Sequence, residues 1–338
     1  MAADFGGYAD EAFPDAPALS TWVSRARATG YTAALTEAAV VDLLGIASGA
    51  ITPVAPLSYL QDFGEPPPAA CLRADPVHLR VDNNGLILFD SASFVLNEDD
   101  SRLLVETLDR HLAVDAYRLV HGHAQRWYLL LEQAPALITA SLPKRRGTPV
   151  SPVPFTGKDT AVWTTRLNEI QMLLHNHPIN QARVARKQVA INSVWLWGAG
   201  DLPMPGNQPF TRLWADNACA CGAARWCGIS GSDLPRKVEP LLPRLRRDER
   251  VLVIMETCRD AAAYGDFSDW QAAVQDLEKN WFAPLVEALR RGRIDGLELL
   301  PLNGKRYQLE RKHLKFFWKR VWNYHRRDGF RQADATRV

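Results

Sequence analysis

The segment from Leu167 to Gly200, LNEIQMLLHNHPINQARVARKQVAINSVWLWGAG, constrains this chain more than any other. Leu167, Ile170, Leu173 and Leu174 recur at spacings of three and four, which places them on one face of a helix. Pro178 disfavours helical geometry at His177, so the helix stops there. Ala190 to Trp197 is almost continuously apolar, the pattern of a strand covered on both faces. The run ends at Gly198-Ala199-Gly200. Helix, break, buried strand and glycine turn in such close order call for a layered α/β protein. Open α/β sheets bind ligands beyond the carboxyl ends of their strands. The glycine pair therefore marks either a ligand site or a close-packed core element. It lacks the third glycine and following helix of a dinucleotide fingerprint, so no such cofactor is expected.

The chain before this segment carries a second kind of pattern. Val77, Leu79 and Val81 alternate, Asp82-Asn83-Asn84-Gly85 supplies a turn, and Leu86 to Phe89 returns, which predicts a hairpin. Asn97 followed by Glu98, Asp99 and Asp100 predicts a helix start, with the helix over 101–112. Strands are expected at 117–120 and 126–132, completing an α+β unit. Proline at 53, 56 and 66–68 predicts a loop over 50–70, and residues 1–20 read as a poorly ordered leader. Helical character over 21–50 is broken by Gly30, Gly45 and Gly49. Further strands are expected at 251–256 and 297–300. Trp270, Val274, Leu277, Trp281 and Leu285 predict an amphipathic helix over 269–289, kinked at Pro284.

At 338 residues the chain can bury one large or two medium cores. Its net charge of +2 gives no general drive toward nucleic acid or membrane, and no apolar run spans a bilayer. The acidic start has no signal-peptide pattern, which predicts a cytoplasmic protein. Lys305 to Arg327 interleaves basic and aromatic residues; a docked, solvated terminal helix explains this more simply than nucleic-acid binding. Five cysteines without secretory context argue against a disulfide framework. Cys219, Cys221 and Cys227 would need Cys258 or Cys71 to complete a zinc site, and their spacing fits paired knuckles poorly. His121 and His123 share a strand face yet have no evident third ligand.

The run His177-Pro178-Ile179-Asn180, Arg183, then Ala190 through Gly200 resembles the archaeal-type cofactor-independent phosphoglycerate mutases. Leu72-Arg73-Ala74-Asp75 with the following hairpin, and Arg126-Trp127-Tyr128, are similar to further segments of that family. Arg73-Ala74-Asp75-Pro76-Val77-His78-Leu79, Asn168 to Leu174 and Ile191 to Trp197 resemble, over more of the chain, a bacterial family of Rpf-type regulatory protein E. The mutase resemblance implies an α/β fold: an alkaline-phosphatase-like core sheet flanked by helices, formed by 1–70 and 189–338, with an inserted α+β domain at 71–188. It also implies a two-metal site and a serine nucleophile, and here the sequence departs. The nucleophile segment reads Pro56-Leu57-Ser58-Tyr59 without its Asp; the Asp-Glu-Ala-Gly-His segment reads Asp260 to Tyr264; the last Asp-His reads Leu300-Pro301-Leu302-Asn303. Such side chains do not replace the ligands of a hard dinuclear site. The arginines that hold carboxylate and phosphate in the family have counterparts in Arg73, Arg126 and Arg183.

These departures predict a non-catalytic, metal-free homologue without cofactor or catalytic residues. Its cleft would be lined by Arg73, Arg126, His177, Asn180 and Arg183 and would take a small phosphorylated or carboxylated ligand; a regulatory protein partner is also expected. The alternative is an active phosphomutase or phosphatase with an atypical metal set drawn from His121, His123, Cys258, Asp260 and Asp266.

Overall fold

The computed structural model describes residues 14–315, apart from 48, 50, 84, 208, 247, 260–263, 265 and 266. The chain divides into two compact units. One comprises residues up to 39 with 209–216 and 231 onward; the other comprises 40–208 with 217–230.

In chain order, α1 (Pro17–Arg25) begins inside the stretch expected to be a poorly ordered leader, where Leu19 is buried, and β1 (Arg27–Gly30) and α2 (Thr36–Leu43) lie in the region expected to be interrupted helix. α3 (Val54–Phe63) then forms where a proline-rich loop was expected. Pro56 lies in the first turn, where a helical N–H has no partner to lose, so it does not break the helix. Gly64 ends α3 in the left-handed conformation, its N–H on Leu60 O. β2 (Ala70–Asp82) and β3 (Gly85–Phe89) are the expected hairpin, in the register Asp82 opposite Gly85. α4 (Glu98–Leu112) starts where its acidic turn predicts, with Asn97 Oδ1 accepting from Asp100 N at 2.7 Å. β4 (Arg118–His123) and β5 (Arg126–Leu131) match the two expected strands. They are followed by β6 (Leu137–Thr139), the short α5 (Leu142–Arg145), β7 (Pro149–Val150) and β8 (Phe155–Gly157). α6 (Thr160–His175) is the apolar-faced helix of the constraining segment. Pro178 ends it as expected, but also opens a second helix, α7 (Pro178–Ala185), as a first-turn proline with His177 as cap.

β9 (Ser193–Gly200) runs through the glycine pair instead of stopping before it. It pairs antiparallel with β2, Ala74 opposite Leu196 and Asp75 opposite Trp195. The sheet order is β4-β5-β2-β3-β7, with β9 joined to β2. This departs from the division expected near residue 189: the Trp195 strand belongs to the same sheet as the 71–188 segment, because its backbone is paired with β2. One sheet face holds Leu72, Ala74, Leu119, Trp127, Leu129, Val194 and Leu196. α4 and α6 cover it with Leu104, Leu108, Trp163, Leu167 and Ile170. The opposite face carries Cys71, Tyr128 and Leu130 against Ala55 and Tyr59 of α3. α8 (Ala218–Trp226) packs on α3.

In the other unit, β10 (Arg212–Trp214) and β12 (Val251–Val253) pair in parallel, with β11 (Ser230–Ser232) beside β10. α9 (Phe267–Leu277), a π-helical turn (Glu278–Phe282) and α10 (Ala283–Arg290) replace the one kinked helix expected around Pro284. β13 (Gly296–Leu299) and β1 flank β14 (Lys305–Glu310), both antiparallel. The start of the basic, aromatic end is thus a strand and not a helix; residues 316–327 lie outside the described residues. Trp22, Trp270, Trp281, Phe282, Leu289 and Leu309 form this unit's core. Among the described residues no helix is long and apolar enough to cross a membrane.

Candidate functional site

Side chains alternate along a strand, so Cys71, Arg73 and Asp75 of β2 share a face, as do Arg126, Tyr128 and Leu130 of β5. With Arg73 opposite Tyr128 and opposite Trp197, three strands deliver their polar groups to one place beneath α3. α3 contributes Ser58 and, one turn on, Asp62. The outcome is a polar cluster inside an otherwise apolar layer.

Arg73 is nearly buried and donates to Asp75 Oδ1 from Nε at 2.8 Å, with Nη2 at 2.7 Å. Its Nη1 donates to Ser58 Oγ at 3.3 Å. The guanidinium carbon lies 5.6 Å from the Tyr128 ring centre and 5.5 Å from that of Trp197, within cation–π range of both. Trp197 Nε1 donates to Asp75 Oδ2 at 2.7 Å. Beside this pair, Arg126 grips Asp62 with both arms of its fork, Nε to Oδ2 at 2.9 Å and Nη2 to Oδ1 at 2.7 Å. Tyr128 adds its hydroxyl to Asp62 Oδ2 at 2.6 Å. Arg126 is the more open of the two arginines, its side chain 23% exposed.

The electrostatics follow from burial and pairing. Burial works against the charge of Arg73, but Asp75, by its charge and its hydrogen bond, more than offsets it and the guanidinium stays protonated. Burial pushes the Asp75 carboxyl up against the pull of Arg73 and Trp197. Burial also pushes on Asp62, yet the hydrogen bonds and charge of Arg126, with Tyr128, hold it below the ordinary carboxylate range. The Tyr128 phenol is driven far up by burial, so it stays protonated and donates. Cys71 is pushed up to about 12 by burial and is an inert thiol.

The residues expected to line one cleft separate into two sets. Arg73 and Arg126 meet in the cluster. His177, Asn180 and Arg183 instead hydrogen-bond mainly to backbone groups of the chain itself. His177 caps α7, Nδ1 accepting from Ile179 N at 3.2 Å, and its Nε2 lies 3.1 Å from Thr107 Oγ1. Asn180 bridges α6 to β9, donating to Leu174 O and Ile191 O and accepting from Ile191 N, all within 2.8 Å. Arg183 donates to Val189 O at 2.8 Å and Val95 O at 2.9 Å. Asn180 and Arg183 thus spend their donors on backbone carbonyls, and His177 Nδ1 and Asn180 Oδ1 accept from backbone N–H groups.

Gly198 and Gly200 also serve packing. Gly198 has φ +68°, and a Cβ there would lie 2.9 Å from Val54 Cβ, so the pair lets the start of α3 approach β9. Ser58 is fully buried in the middle of α3. His121 Nε2 lies 3.0 Å from Ser101 Oγ and 3.4 Å from Glu98, and His123 lies 3.6 Å from Glu98. Cys258 belongs to the other unit, buried and pushed up to about 12. Asp260 and Asp266 lie outside the described residues. The described cysteines Cys71, Cys219, Cys221, Cys227 and Cys258 are all unbridged. Among the described residues no three or more His, Cys, Asp or Glu gather as a metal-holding group.

Asp62, Tyr128 and Trp197 complete the cluster; Tyr128 and Trp197 stood in the sequence only within motifs similar to the mutases, with no role assigned, and Asp62 was missed. Asp75 entered only as part of the Leu72-Arg73-Ala74-Asp75 motif, with no role assigned. Asp62 gave no local sign, since it lies in a helix that the prolines disguised.

No family model matches the chain. It is 24% identical over 240 residues to the 2,3-bisphosphoglycerate-independent phosphoglycerate mutase of Methanosarcina mazei, a match covering 64% of this chain and 60% of that protein. With the mutase of the same name from Methanothrix thermoacetophila it shares 22% over 219 residues, 60% of this chain and 55% of that one. The chain thus matches less than two thirds of the length of these relatives. The PH0037 protein of Pyrococcus horikoshii superimposes with a TM-score of 0.50 at 14% identity, over 83% of this chain and 72% of that structure, a likeness of fold. The chain is a mixed α/β protein with weak homology to archaeal-type cofactor-independent phosphoglycerate mutases.

Proposed function

We propose that this chain is a non-catalytic, metal-free homologue of those mutases that acts as a regulatory or small-anion-binding protein. The place of Ser58 carries the reading. It is the nearest counterpart of the mutase nucleophile, and it is buried in α3 with Arg73 Nη1 on its oxygen. A serine nucleophile must meet its phosphoryl group and lose its proton to a base or a metal. A guanidinium can only donate, so it cannot take that proton. Tyr264, Leu300 and Asn303 at positions where the family has metal ligands support the same reading.

The anion site is the Arg126 side of the cluster. Two of the five guanidinium N–H bonds of Arg126 go to Asp62, and the side chain reaches solvent with donors to spare. The regulatory half, with a protein partner, rests on the motifs Arg73 to Leu79, Asn168 to Leu174 and Ile191 to Trp197 alone, and a cytoplasmic location on the acidic start of the sequence.

The test is a coupled phosphoglycerate mutase assay on folded protein with manganese, zinc or cobalt in turn, alongside calorimetric titration with 3-phosphoglycerate. No turnover is expected with any metal. Binding is expected in the native protein, weakened roughly tenfold or more in Arg126→Ala for the loss of a charge-assisted contact. Metal-dependent turnover that vanishes in Ser58→Ala would establish the rival reading, an active phosphomutase or phosphatase with an atypical metal site.

A further inference from the structure

Asp62 sits badly for its own helix. It lies in the last turn of α3, where the exposed carbonyls make the helix end negative and a carboxylate is disfavoured. What holds it there comes from the sheet: the two-armed fork of Arg126 and the Tyr128 hydroxyl. The floor is shaped to admit it. A Cβ on Gly122 would stand 2.7 Å from Asp62 Oδ2 and 2.5 Å from Tyr128 Cε2, so only glycine leaves room there. A fork that meets both oxygens of a planar group, a third donor on one of them, and a glycine cut-out beneath form a carboxylate-shaped seat.

We infer that the Arg126–Tyr128–Gly122 seat is a binding site for a small carboxylate, and that Asp62 occupies it in the free protein as a built-in stand-in for the ligand. The inference rests on reading the Arg126 cluster as an anion site, and it names the class of anion and what guards the site. An incoming carboxylate takes the two hydrogen bonds of the fork and the Tyr128 hydroxyl while the Asp62 side chain leaves. No covalent change is involved. Because Asp62 is tethered, its effective concentration at the seat is high, and simple carboxylates compete poorly with it. The fork by itself accepts phosphate as well; the preference for a carboxylate comes from the seat as a whole, which already holds the two oxygens of Asp62 between Arg126 and the Tyr128 hydroxyl.

The experiment vacates the seat. Asp62→Ala removes the stand-in, and Asp62→Asn fills the same space with a neutral group. Thermal unfolding of both variants and of the native protein is followed against sodium acetate at constant ionic strength, chloride balancing, with inorganic phosphate as the tetrahedral control. In Asp62→Ala the midpoint should rise saturably with acetate. At ten times the dissociation constant the unfolding equilibrium should fall about elevenfold. Asp62→Asn and the native protein should not respond over that range. No acetate response in Asp62→Ala, an equal response in all three proteins, or an equal response to phosphate overturns the inference. If Asp62→Ala does not fold in chloride, refolding from urea replaces melting. Recovery in acetate alone supports the seat, and failure in both salts while Asp62→Asn refolds overturns it. If the native protein binds phosphoglycerate through Arg126 but Asp62→Ala ignores acetate, the function stands and the seat falls. Rescue by acetate without phosphoglycerate binding is the reverse.

Discussion

Arg73 and Asp75 illustrate at the residue scale how a buried ion pair behaves. Each is nearly out of water and each gives the other its main partner. Removing one leaves an uncompensated charge, whereas removing both leaves apolar volume. Arg73→Met should therefore destabilise the protein by about 3–5 kcal/mol, and Arg73→Met with Asp75→Leu should recover most of that. Urea unfolding measures both; a double variant no more stable than the single would show that the pair is not acting as a unit. The histidines supply a second prediction. Burial lowers the affinity of His121, His123 and His177 for protons, with neighbouring Arg102, Arg126 and Arg110 adding to it. A base with a lowered folded pKa favours folding while neutral. The stability they contribute is complete above their ordinary value of about 6.5 and is lost as the pH falls through their lower folded values. Stability measured from pH 8 to pH 5 should hold level and then decline below about 6.5. A flat profile across that step would contradict the assignment. The same residues show where sequence reading stops. Arg73 and Arg126 were legible only through the resemblance to the mutases, as counterparts of arginines that hold anions there. His177, Asn180 and Arg183 looked like a ligand set, but what distinguishes a fastener from a ligand contact is the carbonyl it meets, such as Ile191 O or Val95 O, and sequence spacing does not reveal that.

At the scale of elements, α1 depends on a partner far along the chain. Its cap residue, Ala16, has no side-chain acceptor. Glu278 supplies one from the π-helical turn, Oε1 accepting from Ala18 N at 2.7 Å and Oε2 from Leu19 N at 3.1 Å. A carboxylate there satisfies two orphan donors and complements the positive helix end. Glu278→Ala should cost about 0.5–2 kcal/mol by analogy with lost caps, with Glu278→Gln intermediate. Chemical denaturation of the two variants orders them, and equal stability of both with the native chain would refute the capping role. The break near Pro284 was legible because proline lacks an N–H wherever it sits; that the chain would widen into a π turn ahead of it, and aim Glu278 at α1, was not. α3 was hidden for the opposite reason, since the same residue type is harmless in a first turn. Its packing is equally silent in sequence. A Cβ on Gly222 of α8 would meet Leu57 O at 1.8 Å. Gly222→Ala must push α8 from α3 and should cost roughly 1–3 kcal/mol, as overpacking does.

At the scale of the whole molecule, each unit has a described core cluster of its own. The core of Leu72, Trp127, Leu129 and Ile170 and the smaller one beneath α3 come entirely from residues 40–208. The core of Trp22, Trp270, Trp281 and Leu309 comes entirely from the remainder. The sequence pointed to two bodies but set the seam near 189, where the mutase resemblance implies one. β9 moves it, because a strand hydrogen-bonded along β2 cannot be parted from that sheet without orphaning backbone groups on both. A piece spanning residues 40–230 retains the whole β4-β5-β2-β3-β7 sheet with β9, both covering layers and the Arg73–Arg126 cluster. It loses the first half of α2, all but the first residue of β11 and the partners of the β10 segment it carries. It should fold alone, with a single cooperative urea transition, and Arg73→Met should shift that transition by the same free energy as in the full chain. A piece cut at 189 lacks β9 and with it the Trp197 partner of Asp75, so it should show no such transition. Cooperative folding of the shorter piece would return the seam to 189 and make β9 an accessory to the sheet.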